Sequence, residues 1–275
     1  MLCTWLRRVV LGMALIFPAW AEQTYSFAIV PQFTPVEIGK RWTPLLNRLE
    51  ADTGLAFQLR LHDKTPTFEA DFLRGVPDFV YLNPYHMVMA AKARGYLPLV
   101  RGAEPLAGIL VADKAGPVGK LADLNGARIA FPSPNAFGAS LYMRALLAER
   151  EGIDFTPVYV GTHRNAYRHV LLGEEAAGGG IEATLEREPA SARGRLHVLY
   201  RTPATASHPV AAHPRVPREV RDRVARALLA LNREPADRKL LDDVELGGAM
   251  EADFARDYQP LSKLKLDRYL AVEQP

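Results

Sequence analysis

The chain has 275 residues, 48% hydrophobic and 24% charged, with 20 Gly and 21 Pro. These are the proportions of a globular protein of one large or two small domains, and they exclude a disordered, collagen-like or disulfide-stapled chain. Lys and Arg number 34 against 31 Asp and Glu, and a near-neutral chain without a long basic run lacks the electrostatic footprint of a nucleic-acid binder.

The first feature in chain order is Arg7-Arg8, followed by a charge-free apolar run from Val9 to Phe17 and by the small-x-small triplet Ala19-Trp20-Ala21. This is the layout of a secretory signal, and it predicts export with cleavage after Ala21 and a mature chain from Glu22. The apolar run, ended by Pro18, is far short of the roughly 20 residues of a membrane span, so a membrane-embedded protein is not expected. Cys3, the single cysteine, precedes the run and cannot be the lipid-modified first residue of a mature chain. Disulfides, cysteine nucleophiles and thiolate metal sites are therefore excluded for the exported form.

From Glu22 onward, short β-branched or aromatic runs alternate with amphipathic stretches, the pattern of a largely parallel sheet wrapped by helices. Tyr25 to Val30 reads as a strand. Thr34-Pro35-Val36-Glu37 supplies an N-cap, a first-turn proline and an acid at the third position, and Trp42, Leu45, Leu46 and Leu49 then share a helical face that Gly54 ends. Residues 57–61 form the next strand. Thr65-Pro66 opens a helix that closes near Gly75, and the strand 78–82 runs into Asn83-Pro84 and a helix over 84–94.

Further strands are predicted at 97–101, 108–113 and 127–131, with a turn at Leu124-Asn125-Gly126. Helices follow at about 138–151 and 163–172. The run Gly178-Gly179-Gly180 interrupts the next strand signal, and a short helix is predicted from Ile181 to Glu186. After Leu196 to Tyr200, the stretch from Thr202 to Pro217 is rich in Pro, Ala, Thr and His and has little periodicity, so it reads as a linker. Val220, Val224, Ala227, Leu228 and Leu231 define another helical face, and the last forty residues read as helical or irregular.

Hydrolytic chemistry would need an activated nucleophile with a base in reach. The sequence has no Gly-x-Ser-x-Gly elbow and no His-Glu-x-x-His helix, and none of its seven histidines pairs with another at metal spacing on a helix. His208 and His213, each followed by proline, read as solvent-exposed loop residues. Two loop-to-helix junctions carry more interest, because first-turn N–H groups and the helix dipole make a seat for an anion. One is Ser133-Pro134-Asn135-Ala136-Phe137-Gly138-Ala139-Ser140. The other is Gly161-Thr162-His163-Arg164-Asn165-Ala166-Tyr167. Taken alone, either can equally be a capped helix start and nothing more.

Several segments together carry a resemblance: Phe27-Ala28-Ile29-Val30-Pro31 before the Trp42-Thr43-Pro44-Leu45 helix, and Pro77-Asp78-Phe79-Val80-Tyr81-Leu82-Asn83-Pro84-Tyr85. Leu121-Ala122-Asp123-Leu124-Asn125-Gly126, Pro134-Asn135 and Gly161-Thr162-His163-Arg164-Asn165-Ala166 follow in the same order and spacing. Over essentially the whole mature chain the sequence resembles the phosphonate, phosphate and phosphite type of periplasmic solute-binding protein, the extracytoplasmic component of ABC importers. The resemblance implies a type II periplasmic binding protein fold, with two α/β lobes joined by two crossover strands and a ligand cleft between them that closes by hinge motion. It implies a discontinuous first lobe, 22–106 plus 207–275, and a second lobe, 107–206.

Carried over by position, the ligand-binding residues are Gln32 and Phe33, then Tyr81, Leu82, Asn83 and Tyr85, then Asn135, Ala136, Phe137, Gly138, Ala139 and Ser140, and His163. Where the family commonly has a Ser-Thr-Ser-Gly run this chain has Ala136-Phe137-Gly138-Ala139, and where it has an acid near 176 this chain has Ala176-Ala177. These departures argue against an aminophosphonate. The implied function is capture of a small oxyanion in the periplasm by a non-catalytic monomer, without cofactor or metal, for an ABC transporter permease. The alternatives are a sensory binding protein that signals to a membrane histidine kinase and, from a different class, an exported enzyme with His163 as base.

Overall fold

The computed structural model describes residues 23–271; the predicted signal segment and its cleavage site lie outside them. The first elements are β1 (Thr24–Ile29), α1 (Pro35–Thr53), β2 (Ala56–Arg60), α2 (Thr65–Arg74), β3 (Phe79–Tyr81), α3 (Pro84–Arg94) and β4 (Leu97–Arg101). Their boundaries are local chemistry. Thr34 accepts from Glu37 N ahead of α1 and Asn83 accepts from His86 N ahead of α3, with proline in the first turn of both. Gly54, Gly75 and Gly95 close the three helices at φ of 67°, 77° and 69°, a conformation that costs a glycine nothing.

The chain then builds a second sheet from β5 (Gly108–Asp113), β6 (Ala127–Phe131), β7 (Phe155–Tyr159), β8 (Ala177–Ile181) and β9 (Leu196–Arg201). Between them run α4 (Tyr142–Glu149), α5 (His163–Leu171), α6 (Glu182–Glu186) and α7 (Ala190–Arg195). It returns to the first sheet through β10 (Pro209–Ala212), α8 (Arg218–Ala230), α9 (Pro235–Asp243) and β11 (Met250–Glu251), and finishes in short helical turns. The strand orders are β11-β4-β10-β3-β1-β2 and β7-β6-β8-β5-β9. Segments 102–107 and 202–208 cross between the sheets, and they pair with each other through Leu106 and Thr205.

Three sequence expectations are corrected. The stretch read as a linker from Thr202 to Pro217 contains β10, an inner strand of the first sheet between β3 and β4. All four of its residues are buried, so no polar face exists to produce alternation. The glycine run is the body of β8, the central strand of the second sheet, and does not interrupt it. A Cβ on Gly179 would lie 2.0 Å from Ala139 O, and one on Gly180 would lie 1.9 Å from Tyr167 Oη. Bare backbone is what lets α5 and the turn before α4 sit on the strand. The helix predicted from 138 begins instead with a wide π turn, Phe137–Leu141, in which the N–H groups of Ser140 and Leu141 both donate to Ala136 O at 2.8 and 3.0 Å.

The main core follows the first sheet, where Phe27, Trp42, Phe79 and Tyr81 pack ring against ring. It continues into the second half through Phe137, Leu141, Tyr142 and Ile181. Two smaller clusters cover the faces of the second sheet.

Candidate functional site

The space between the two halves holds a narrow cavity of about 410 Å³, counted with the solvent space at its mouth. Loop residues Val30, Pro31 and Gln32 form one side and Pro132 and Ser133 another. Four helix beginnings converge on it: Thr65 of α2, Asn83 and His86 of α3, Ala136 to Ala139 of the turn leading into α4, and Gly161 with His163 of α5. The first-turn N–H groups of Phe137, Gly138 and Ala139 have no acceptor within their own helix, and each helix start that lines the cavity carries the positive end of its dipole. No Asp, Glu, Lys or Arg is among the lining residues.

Of the residues singled out by sequence, Gln32, Asn83, Ala136, Phe137, Gly138, Ala139 and His163 line this cavity. Phe33 and Tyr81 lie in an adjoining cavity shared with Gln32, Arg41 and Glu245; Arg41 stands 4.4 Å over the Phe33 ring. Leu82 is buried in the core. Tyr85 is packed beneath, with its hydroxyl donating to Asp267 Oδ1 at 3.2 Å, and burial with that carboxylate pushes the phenol up to about 12. Ser140 is buried and accepts from Arg144 Nε at 3.2 Å. Asn135 is a connector, since its Nδ2 donates to Glu69 Oε2 and to Ala271 O, both at 2.9 Å.

Phe137 both faces the cavity and packs. Its ring is stacked between Tyr85 at 6.3 Å and Tyr142 at 5.5 Å. Asn83 likewise has two tasks, capping α3 and donating from Nδ2 to Asn135 O across the cleft at 3.1 Å. Gly138 is held by a close approach to the start of β5: a Cβ on Gly108 would fall 1.9 Å from its carbonyl oxygen.

Sequence reasoning missed Thr65, His86 and His208, while Ser133, the first residue of one of the two junctions it noticed, also lines the cavity. Thr65-Pro66 and Pro84-Tyr85-His86 sit at helix starts of the same signature as the two junctions that were noticed, so the signal existed. His208 had none. Read as an exposed loop residue, it is 5% exposed, lines the cavity and lies stacked on Tyr81 at 5.4 Å. His213, half-buried, packs edge-on against Tyr96 instead. Burial pushes His163 down to about 4; burial, with His163 and His86 nearby, pushes His208 down to about 3.

Contacts across the cleft are numerous. Thr65 Oγ1 donates to Ser133 Oγ at 3.1 Å, Arg164, paired with Glu188 of its own half at 2.8 Å, reaches Glu37 of α1 at 3.5 Å, and Arg187 donates to Asp242 O at 2.9 Å.

Two α/β sheets joined by two crossovers, with helix N-termini gathered in the cleft between them, define a type II periplasmic binding protein. Residues 27–258 match the family described as "ABC transporter, phosphonate, periplasmic substrate-binding protein", and the chain belongs to that family. Among solved structures it is similar to a binding protein component of an ABC phosphonate transporter from Pseudomonas aeruginosa, with a TM-score of 0.80, 13% identity and coverage of 90% of this chain and 88% of that one. It is also similar to PhnD1 of Prochlorococcus marinus in complex with methylphosphonate, with a TM-score of 0.78, 14% identity and coverage of 88% and 96%. A Xanthomonas citri protein bound to chloride ion follows, with a TM-score of 0.73, 16% identity and coverage of 90% and 98%. At these identities the likeness is one of fold. Among the described residues no helix is long and apolar enough to cross a membrane.

Proposed function

We propose that this protein captures a small oxyanion of the phosphonate, phosphite or phosphate class in the cleft and presents the closed form to an ABC transporter permease. The observation that carries the reading is the convergence of four helix N-termini on a buried cavity lined by no carboxylate. Such a site favours negative charge and offers its N–H groups to ligand oxygens. Ala136-Phe137-Gly138-Ala139 supplies backbone donors in place of hydroxyls, and the absence of an acid among the lining residues leaves an ammonium group without a partner, so a plain oxyanion fits better than an aminophosphonate.

In this reading residues 22–106 with 207–275 and residues 107–206 act as lobes, the crossovers 102–107 and 202–208 are the hinge, and ligand binding holds the lobes together. The family description supports the importer role, and a sensory role would use the same cleft. His163 as a catalytic base has less support, since its Nδ1 pairs with Thr184 Oγ1 at 3.1 Å and not with a carboxylate. Calorimetry with methylphosphonate, phosphite, phosphate and sulfate, together with small-angle scattering of the purified mature chain, tests the proposal. At least one oxyanion should bind with a decrease in radius of gyration and remain chemically unchanged. If none binds, the reading fails.

A further inference from the structure

Three imidazoles face the cleft: His86 in the first turn of α3, His163 at the start of α5 and His208 just before β10. They are 1%, 3% and 5% exposed, and no Lys or Arg lines the space with them. An oxyanion entering so narrow a cavity leaves most of its water behind, and a desolvated anion needs compensating charge. Helix dipoles provide only partial charges. The imidazoles are the lining groups that can acquire a full one.

The hydrogen bonds around His163 allow two proton arrangements, and in one of them a neutral ring is a poor host. Thr184 Oγ1 donates to Ile181 O at 2.8 Å, and the Tyr167 hydroxyl lies 2.8 Å from Thr184 Oγ1 and 3.1 Å from Ile181 O. When the two hydroxyl protons occupy the two 2.8 Å contacts, His163 Nδ1, 3.1 Å from Thr184 Oγ1, has to donate. In a neutral ring Nε2 then carries a bare lone pair, which repels an anion in the cleft. A doubly protonated ring donates through both nitrogens and leaves the network complete. His86 adds an independent sign of an unfinished site: its Nε2 pairs with Glu69 Oε1 at 2.7 Å, while its buried Nδ1 has no partner.

We propose that the cleft takes up its oxyanion together with protons, His163 and His208 becoming imidazolium as the anion arrives. These two rings then supply the positive charge that a Lys or Arg would otherwise bring. The proposal rests on the oxyanion reading above and adds the charge state in which the ligand is held. Other groups face the two rings. Around His208 are Tyr81 on β3, His86 on α3 and Glu69 behind it on α2. On its other side His208 lines a second cavity together with Glu104, Glu186, Arg187, Asp242 and Glu245, and burial raises Glu245. Around His163 are Thr184, Tyr167 and the neighbouring Arg164–Glu188 pair. Burial pushes both rings well below neutral, so at pH 7 they would gain protons only in the field of an anion.

The test is nitrogen NMR of the mature protein with labelled histidines at pH 7, alone and saturated with methylphosphonate or whichever of phosphite, phosphate and sulfate binds. His163→Gln and His208→Gln spectra assign the two rings. Both should move from neutral to imidazolium shifts on saturation, and the dissociation constant should rise about a hundredfold per pH unit between pH 5 and 7 beyond the ligand's own titration, tenfold for each of the two protons taken up. If a substitution prevents folding, the wild-type spectrum and the pH dependence still decide, because two imidazolium signals must appear only with ligand. Rings that stay neutral at saturation overturn the proton uptake while leaving the oxyanion reading intact. Failure of every oxyanion to bind instead removes the reading on which it rests.

Discussion

His163 and His208 show how burial at one residue reaches the whole protein. Their folded values lie below the ordinary histidine value, so the unfolded chain binds more protons than the folded one as pH falls below about 6.5. Their contribution to stability is therefore complete above that pH and is lost on acidification through the interval down to about 4 for His163. In urea titrations without ligand, the protein should lose roughly 2 kcal/mol per ring between pH 7 and pH 5. His163→Gln should remove its share of that dependence; an unchanged slope would mean that the ring titrates alike in the folded and unfolded chain. Asn83 is a second residue with two functions, cap and cross-cleft donor. Asn83→Ala should cost about 1–2 kcal/mol in thermal or urea unfolding, the usual penalty for a lost cap together with one buried hydrogen bond.

Among the elements, β8 is the most constrained by its surroundings. Gly178, Gly179 and Gly180 lie under α5 and under the turn before α4, with added Cβ atoms meeting Ala166 O at 2.8 Å, Ala139 O at 2.0 Å and Tyr167 Oη at 1.9 Å. Backbone oxygens cannot move aside as a flexible side chain can. Gly179→Ala should therefore destabilise by about 1–3 kcal/mol or more, and it should also weaken ligand binding, because the displaced turn is the one that lines the cavity. Gly194, in α7, has nothing within 4 Å of a built Cβ. Gly194→Ala should be neutral or stabilising by up to about 1 kcal/mol. Chemical denaturation of the two variants side by side separates close packing from a general intolerance of side chains.

For the whole molecule, the C-terminal segment ties the two halves together. After the last helical turn Ala271 exchanges two hydrogen bonds with the Asn135 side chain, at 2.9 and 3.0 Å. Arg144 of α4 donates to Tyr269 O at 2.8 Å. The chain end thus crosses from the first sheet's half to the turn that begins α4. Asn135 also reaches Glu69, so one side chain ties α2, the π turn and the C-terminal segment together. With about 1 kcal/mol net for each of three bonds, Asn135→Ala should shift the open–closed balance by on the order of 100-fold. Scattering should report a larger radius of gyration without ligand, and calorimetry a weaker dissociation constant. A variant as compact as wild type would assign closure to the Arg164 and Arg187 contacts instead.

The alternation of strands and helices was legible in the sequence because its causes are local. Thr34, Asn83 and Thr162 cap the helices that follow them, proline sits in the first turn after two of these, and Gly54, Gly75 and Gly95 end helices within hydrogen-bonding distance of their own carbonyls. The same local chemistry pointed to two of the four helix starts that meet in the cleft. Tertiary structure decided the rest. β10 carries no pattern because both its faces are buried, and the glycines of β8 read as a break because the helix and turn that require them approach from elsewhere in the chain. His86, His163 and His208 meet only after two sheets form and the crossovers set them face to face. Caps and turns are fixed by neighbours within a few residues, whereas the charge a cleft can accept depends on which distant groups lose water together.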